Sequence, residues 1–571
     1  MPLFDHDRQP RGRSLHKLRV QLSESEALPQ LTLLGLIIGV IAGGLLIVFR
    51  ELLSFATSFW LPLGDEHFET LPAIARFFLP IGGALVIYLM FRSVPAQQRT
   101  VGILHVVERL TFHKGKLSFT GVLLQFSGAL TALASGFSVG REGPAVHMGA
   151  GAGSILGQKL KLPENTLNAL AGCGAAAAIS ASFNTPMAGV IFAMEVIVRS
   201  YSLGSFIPVM AASVMAALMS QLVYGSDPAF VVPVIPMASL TELGVAALAA
   251  MLIGCLAAAF IHLQVFTGNK RQGMFFRPLL LAGVLMGTAG IFLPELMGIG
   301  YDTIDAILNG QVHNLSFLFI LLAGKLLLTA AVTGLGIPGG IIGPSLMIGC
   351  LAGSAFGIAG DRLFNLPDIS SAFHALLGMV AMMAAVLQAP LAALITVLEL
   401  TRNPHIIMPA MFAIVIACLV AGRLTGSQGG LVGRQLAARG YSLQQSPMYQ
   451  WLSRTGVASL METDYSILPA EKFSESSGRE PDNRWIILEL EGQYTAVINN
   501  NDQDTQTPPE PENMQPVQTI SIQATLHDAL ETMQRHSVST LCVYSLSRKQ
   551  KHLCGVISRE AIEKEIGSTI P

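Results

Sequence analysis

One glutamate in this sequence, Glu142, stands where a carboxylate is costly. It belongs to the segment Gly140-Arg141-Glu142-Gly143-Pro144, which separates two runs without Asp, Glu, Lys or Arg, 117–139 and 145–156. An ionisable group at membrane depth costs several kcal/mol unless it faces water or a partner, so its presence indicates function. A short polar loop at a membrane surface is the alternative interpretation. A titratable acid of this kind could compete with a bound anion or carry a proton.

The composition predicts that a membrane surrounds this segment. Of 571 residues, 51% are hydrophobic and 13% are charged, and the mean hydropathy is +0.55. Several runs without charged residues reach the roughly 20 residues that a helix needs to cross a bilayer. They are 31–49, 117–139, 202–226, 243–269, 326–360 and 403–422. The 56 glycines and 30 prolines favour broken, closely packed helices in an all-α polytopic membrane protein.

Charge divides the chain into parts with different solvents. Residues 1–30 form a basic arm without an apolar core, which the positive-inside rule places in the cytoplasm. From residue 441 onward the net charge is −7, although the whole chain carries −2. We therefore predict a membrane domain at 31–440 and a cytosolic region at 441–571. We expect both termini to be cytoplasmic and the protein to lie in the inner (plasma) membrane. The six cysteines show no metal-ligand spacing.

The second half of the membrane domain repeats the first. At an offset of 200, eight of the 18 residues from Gly140 to Gly157 are identical to their counterparts, including Gly140, Gly143 and Pro144. A second block, from Pro186 to Glu195, matches 390–399 at nearly the same offset. We predict two homologous halves at about 31–225 and 240–435. Such repeats in transporters are commonly inverted, with discontinuous helices that meet near the midplane.

Both glycine-rich segments suit the start of a helix that faces an anion. Pro144 and Pro344 fit a first helical turn, where a missing N–H costs little. The flanking glycines let the backbone approach a ligand closely. Two helix N-termini that converge would bind an anion through N–H groups and dipoles, without a lysine or arginine.

These motifs resemble those of the CLC family of chloride channels and chloride/proton antiporters. Gly140 to Pro144 is similar to its Gly-Lys/Arg-Glu-Gly-Pro signature, and Gly339-Gly340-Ile341-Ile342-Gly343-Pro344 to its Gly-Gly-Ile-Phe-x-Pro signature. Asn184-Thr185-Pro186, followed by Gly189 and Glu195, resembles a third block. The resemblance covers roughly residues 30–440 and implies two inverted-repeat halves with discontinuous helices. It also implies a homodimer that transports chloride or other small anions.

The resemblance implies that Glu142 is the gating glutamate, whose carboxylate competes with chloride and swings aside when protonated or displaced. It places these residues around the anion: Gly140, Arg141, Gly143, Gly340, Ile341, Ile342, Val101 and Leu431. We expect the Arg141 side chain to face water or to pack, because a fixed cation in the pore would trap chloride. We expect His147, on the same helix, to be packed and neutral.

Several residues depart from the family pattern. Val101 stands where the family has an ion-binding serine, Ile342 replaces a phenylalanine, and Leu431 takes the place of a coordinating tyrosine. The resemblance thus implies a less polar site that relies on backbone N–H groups. At the position of the internal proton-relay glutamate stands Val196, which favours passive anion flow over coupled exchange. We interpret Glu195 as a helix-end carboxylate paired with Arg199.

The tail resembles a degenerate pair of CBS domains. Residues 525–538 have the pattern of an amphipathic helix, and strands are predicted at 540–544 and 555–558. The earlier half is predicted within 456–499, with a strand at 485–490, and 499–516 is interpreted as a disordered linker. Gly555 and Ser558 fit a nucleotide-binding pattern, but Ala561 replaces its aspartate. We therefore expect no cofactor, and a structural, dimer-supporting tail.

Three functions remain open at this point. The first is a passive chloride channel gated by Glu142. The second is a proton-coupled chloride antiporter of the same fold, and the third is a secondary transporter of organic anions. The sequence shows no catalytic constellation, phosphate loop or metal motif, so we do not expect an enzyme or a nucleic-acid-binding protein.

Overall fold

A computed structural model describes thirteen stretches of the chain. They are residues 28–61, 66–95, 98–201, 203–226, 240–270, 275–364, 370–426, 429–441, 447–469, 483–490, 493–499, 517–547 and 550–569. The chain forms two compact units. The membrane unit comprises Leu31–Leu156 and Asn168–Leu443, and the tail unit comprises Met1–Gln30, Gly157–Leu167 and Gln444–Pro571. Residues 1–27 of the predicted arm and 500–516 of the predicted linker lie outside the described residues.

Helices make up the first half of the membrane unit. In chain order they are α1 (Leu28–Thr57), α2 (Ala73–Arg92), α3 (Ile103–Phe112), α4 (Phe119–Ala134), α5 (Glu142–Lys159), α6 (Glu164–Phe183), α7 (Pro186–Phe192) and α8 (Leu203–Tyr224). A π-helical turn, Ala193–Val198, follows α7 directly. The predicted starts at Pro144 and Pro186 are confirmed to within one turn, and Ser118 caps α4 by accepting the Gly121 N–H.

The second half repeats this order of long and broken helices. It consists of α9 (Leu240–Lys270), α10 (Phe276–Phe292), α11 (Tyr301–Leu308), α12 (Leu315–Leu335), α13 (Ile342–Phe364), α14 (Ser371–Leu387), α15 (Pro390–Thr401), α16 (Ile407–Thr425) and α17 (Gly430–Ala438). Within the described residues, eight helical stretches are long and apolar enough to cross a bilayer. These features, with the contacts below, agree with the predicted inverted-repeat membrane fold.

Equivalent glycines pack equivalent helices together in the two halves. A Cβ at Gly149 of α5 would lie 2.2 Å from the carbonyl oxygen of Gly174 on α6, and one at Gly349 of α13 would lie 2.2 Å from that of Gly378 on α14. These helix pairs therefore touch backbone to backbone, as small residues permit in membranes. Gly149 and Gly349 are 200 residues apart and Gly174 and Gly378 are 204 apart, so the sequence repeat is preserved in three dimensions.

The tail unit contains two small sheets of the same topology. One holds β1 (Tyr465–Pro469), β2 (Trp485–Leu490) and β3 (Gln493–Asn499), and the other holds β4 (Thr519–Ser521), β5 (Thr540–Ser547) and β6 (Gln550–Ser558). In each, the first two strands are parallel and the last two antiparallel. Its helices are α18 (Pro447–Arg454), α19 (Val457–Leu460), α20 (Leu526–His536) and α21 (Arg559–Thr569). The strand predicted at 485–490 coincides with β2.

Alanine at Gly149 or Gly349 should destabilise the membrane unit. Each new Cβ would collide with backbone that cannot move aside alone, and overpacking of this kind costs about 1–3 kcal/mol. We expect a lower thermal midpoint for the detergent-solubilised protein in both variants. Gly82→Ala on α2 is the matched control, because nothing lies within 4 Å of its Cβ position. Equal midpoints for Gly149→Ala and the control would contradict the packing argument.

Candidate functional site

Two glycines at equivalent positions of the repeat join the halves. The Gly140 N–H donates to the Gly340 carbonyl and the Gly340 N–H donates to the Gly140 carbonyl, both at 2.7 Å. The pair lies just before the first turns of α5 and α13. A Cβ at Gly340 would stand 2.6 Å from the nitrogen of Gly143, so no larger residue fits. The predicted convergence of two helix N-termini is therefore observed.

The carboxylate of Glu142 lies between these two helix starts. Glu142 is fully buried. Its Oε2 accepts the Gly343 N–H of α13 at 3.3 Å, and its Oε1 accepts the Tyr301 hydroxyl at 2.5 Å. Oε2 also stands 2.4 Å from the Cβ position of Gly140. A carboxylate held by backbone N–H at a helix N-terminus occupies the kind of site that suits an anion.

Tyr301 is a contact of Glu142 that the sequence analysis missed. It begins α11, and its hydroxyl reaches Glu142 across 159 positions of sequence. Glu66 orients it, because Glu66 Oε2 accepts the N–H groups of Gly300 at 3.1 Å and Tyr301 at 2.7 Å. Only the glycine before it, which starts α11 in a left-handed conformation, marks this position in the sequence.

Charged groups surround Glu66 on this side of Glu142. Desolvation of its carboxyl group and then the charge of Asp302 raise the pKa of Glu66, and Arg141 and Lys325 oppose that shift. Lys325 on α12 is fully buried, and its Nζ donates to the carbonyls of Leu296 and Gly298. Buried cations and anions of this kind are stable only when paired and hydrogen-bonded. The Tyr301 hydroxyl that donates to Glu142 is thus positioned by a polar network around Glu66.

A cavity of about 470 Å³ opens on the other side of the glycine pair. Five predicted anion-site residues line it: Val101, Gly143, Gly340, Ile341 and Leu431. Gln125, Gln264 and Gln435 add amide groups, and Arg99 and Arg439 add positive charge. Such a lining attracts small anions from solution.

Three other predicted anion-site residues do not line the cavity. Gly140 is hydrogen-bonded to Gly340, and Ile342 is buried. Arg141 lies on the Tyr301 side, with its guanidinium 5.5 Å from the Tyr301 ring and its Nε 3.9 Å from Glu142 Oε1. The expectation that Arg141 packs rather than binds the ion agrees with this position.

The expected pairing of Glu195 with Arg199 is wrong. Glu195 accepts the N–H groups of Leu391 and Ala392 at the start of α15, at 3.3 and 2.7 Å. Glu399 at the end of α15 accepts those of Met187 and Ala188 in return, at 3.1 and 2.7 Å. The antiparallel helices α7 and α15 thus cap each other. Val196, one residue on, is buried and apolar.

Two clusters outside this site offer fewer contacts for a ligand. In the tail, Ser558 Oγ accepts the Ala561 N–H at 3.2 Å and so caps α21. In the membrane unit, donor atoms of His67, Glu69 and Asp302 lie within 4.8 Å of one another. His67 and Glu69 are hydrogen-bonded at 3.0 Å, and exposed groups commonly cluster without an ion.

Known proteins share this fold and these motifs. The family described as voltage gated chloride channel matches residues 82–422. The H(+)/Cl(-) exchange transporter ClcA of Vibrio cholerae serotype O1 is 30% identical over 417 residues, which are 69% of this chain and 88% of that protein. The chain belongs to the CLC family. A CBS domain matches residues 513–568 of this CLC protein.

Two further similarities extend the comparison. A putative chloride channel protein, ClcB-like, of Ralstonia nicotianae is 29% identical over 394 residues, which are 66% of this chain and 90% of that protein. The crystal structure of a slow cyanobacterial Cl-/H+ antiporter superposes with a TM-score of 0.61 at 24% identity, covering 72% of this chain and 99% of the other. At that identity the structural match supports the fold.

Removing the Tyr301 hydroxyl should change the pH dependence of chloride flux. If Glu142 gates the pathway, Tyr301→Phe deletes a donor that stabilises the ionised, seated carboxylate. A hydrogen bond to a charged group is worth about 1.5–3 kcal/mol, so the pH of half-maximal chloride flux should rise by about one to two units. The measurement is chloride efflux from proteoliposomes against pH. Tyr201→Phe, at an exposed tyrosine, is the control and should leave the pH profile of the parent unchanged. If Tyr301→Phe also kept the parent's pH profile, the hydrogen bond from Tyr301 to Glu142 would have no role in gating.

Proposed function

We propose that this CLC protein exchanges protons for chloride across the membrane. The observation that carries the proposal is the buried Glu142 carboxylate, seated at the N-terminus of α13 next to a cavity lined by predicted anion-site residues. A carboxylate in this position excludes the anion when ionised and makes room for it when protonated. Proton binding and anion binding then alternate at one place, which is the requirement for exchange.

Similarity to named proteins supports exchange over the passive channel expected from the sequence. The Vibrio cholerae relative is named an H(+)/Cl(-) exchange transporter, and the structural neighbour is a Cl-/H+ antiporter. A passive channel is the second candidate, because Val196 puts an apolar side chain at the position where the resemblance implies a proton-relay glutamate. The Ralstonia relative is named a putative channel.

Chloride is the proposed substrate, held mainly by backbone. Val101 and Leu431 bring no hydroxyl to the cavity, so N–H groups around Gly143 and Ile341 would coordinate the ion. We also propose a homodimer in the inner membrane, as the family resemblance implies.

The test of exchange is proton movement in liposomes. Purified protein is given an outward chloride gradient with a potassium ionophore to clamp the membrane potential, and a pH electrode follows the outside solution. Exchange predicts proton uptake in a fixed ratio to chloride efflux, even against an opposing pH gradient. Chloride efflux without proton movement would establish the channel instead.

Glu142→Gln should separate the two fluxes. The neutral amide cannot carry a proton and no longer repels chloride, so we expect chloride flux that is largely independent of pH and has no coupled proton uptake. Glu164→Gln, at a glutamate in the tail unit, is the control that should behave like the parent. A Glu142→Gln protein that kept the parent's pH response would show that Glu142 is not the gate.

We also propose that the tail has a structural role and does not bind nucleotide. Ser558 already caps α21, and Ala561 offers no carboxylate for a ribose. Low-millimolar ATP should therefore leave the thermal midpoint of the full protein unchanged, since ligands stabilise only through binding. If ATP raised the midpoint of the parent, this role would be refuted. Ala561→Asp is the informative variant, because it restores the missing acid.

A further inference from the structure

Exchange requires a path for protons in addition to the one for chloride, and Val196 cannot supply it. Within the described residues, a group of polar side chains lies beside the anion-site cavity of the membrane unit. It consists of His147 on α5, Gln125 on α4 and His105 on α3. His147 and Gln125 are fully buried, and Gln125 lines the cavity that also contacts Gly143 and Gly340. This group therefore joins the anion site to the interior of the fold.

The hydrogen bonds of His147 define its neutral form. Its Nδ1 accepts the N–H of Gly102 at 3.1 Å, so the ring hydrogen of the neutral imidazole belongs on Nε2. Gln125 Oε1 lies 3.3 Å from the same Nδ1. Within the described residues, Nε2 of His147 and Nε2 of Gln125 are buried without a hydrogen-bond partner. Buried polar atoms are rarely left unpaired unless water or a function accounts for them.

His105 continues the group toward the surface. Its ring centroid lies 5.3 Å from that of His147. Its Nδ1 is buried and unpartnered within the described residues, but the residue as a whole is partly exposed. The charged and titratable groups that face it are Arg109, Arg439 and His113, and His105 is the one that faces His147. Positive neighbours destabilise a proton bound to His105, so the ring suits proton transfer better than stable proton binding.

We propose that His147 and His105 form the inner proton relay of this transporter, in place of the carboxylate missing at Val196. The inference rests on the proposed exchange function. A proton from solution would bind a ring nitrogen of His105, pass to His147 as His105 returns to neutral, and leave His147 for the Glu142 carboxylate. An O–H bond of hydronium breaks as the first N–H bond forms, one N–H bond breaks as another forms between the rings, and the last N–H bond breaks as an O–H bond forms on Glu142. A single proton therefore moves and no other group is consumed.

The last step of this relay needs movement or water. Glu142 and His147 are five residues apart on α5, which is about 7.5 Å along the helix and on different faces. The Glu142 side chain would have to leave its seat at Gly343 and turn toward the cavity, where Gln125 lies. The swing that admits chloride would thus also bring the carboxylate to the proton donor.

The test compares proton flux with chloride flux in the liposome assay described above. His147→Gln keeps a side-chain oxygen for the Gly102 N–H but cannot carry a proton. We expect chloride flux within about twofold of the parent. Proton flux should fall at least about tenfold, because positioned acid–base groups typically contribute about a hundredfold or more. His105→Gln, at a partly exposed position, should give the same loss of ratio with less risk to folding. His374→Gln, at a buried histidine on α14, is the matched control and should keep the ratio.

The outcomes separate the relay from the exchange function. If the parent couples the two fluxes and both His147→Gln and His105→Gln keep the parent's ratio, the relay is wrong and the exchange stands. A fall of both fluxes in proportion would show that the histidines are structural, and would equally refute the relay. A parent protein that moves no protons would refute exchange and the relay together.

Discussion

The mutual hydrogen bonds between Gly140 and Gly340 are the constraint on which the rest of the membrane unit depends. They fix the start of α5 against the start of α13 at backbone contact distance, and no side chain fits between them. Both helices must therefore aim their N-termini at one place, where their N–H groups and dipoles favour negative charge. The close packing of α5 on α6 and of α13 on α14 stabilises this arrangement of the two N-termini.

The two halves of the repeat differ at the position of the Glu142 carboxylate. The counterpart of Glu142 in the second half is Ile342. A second carboxylate there would face the first across the glycine pair, and two buried acids so close cannot both ionise. By contrast, Glu195 and Glu399 are duplicated because each has its own pair of N–H groups on the opposite helix. The repeat therefore supplies a symmetric frame, and one acid in it can serve as a movable group.

The sequence predicted what depends on local pattern and missed what depends on distant pairing. Glycine and proline spacing identified the repeat and the helix starts, because those residues act through their own backbone. The tail strands followed from alternation of apolar residues. Tyr301 could not be found, since its contact with Glu142 exists only after both halves fold together. Glu195 was misassigned to Arg199 because helical spacing shows only partners on the same helix.

Glu142 stands between two polar systems with different properties, and this position explains why a carboxylate suits it. On one side, Tyr301 and Glu66 form a hydrogen-bonded network, which stabilises the Glu142 carboxylate in its ionised form at this position. On the other side, the cavity offers N–H groups, amides and the arginines Arg99 and Arg439. In the proposed exchange, an anion would compete with the carboxylate for N–H groups at these helix starts, whereas a proton would remove the charge of the carboxylate and so weaken its hydrogen bonds. In the proposed exchange, a mobile acid lets chloride and protons act on the same equilibrium, whereas a fixed cation or a neutral side chain at this position would respond to one of these ions at most.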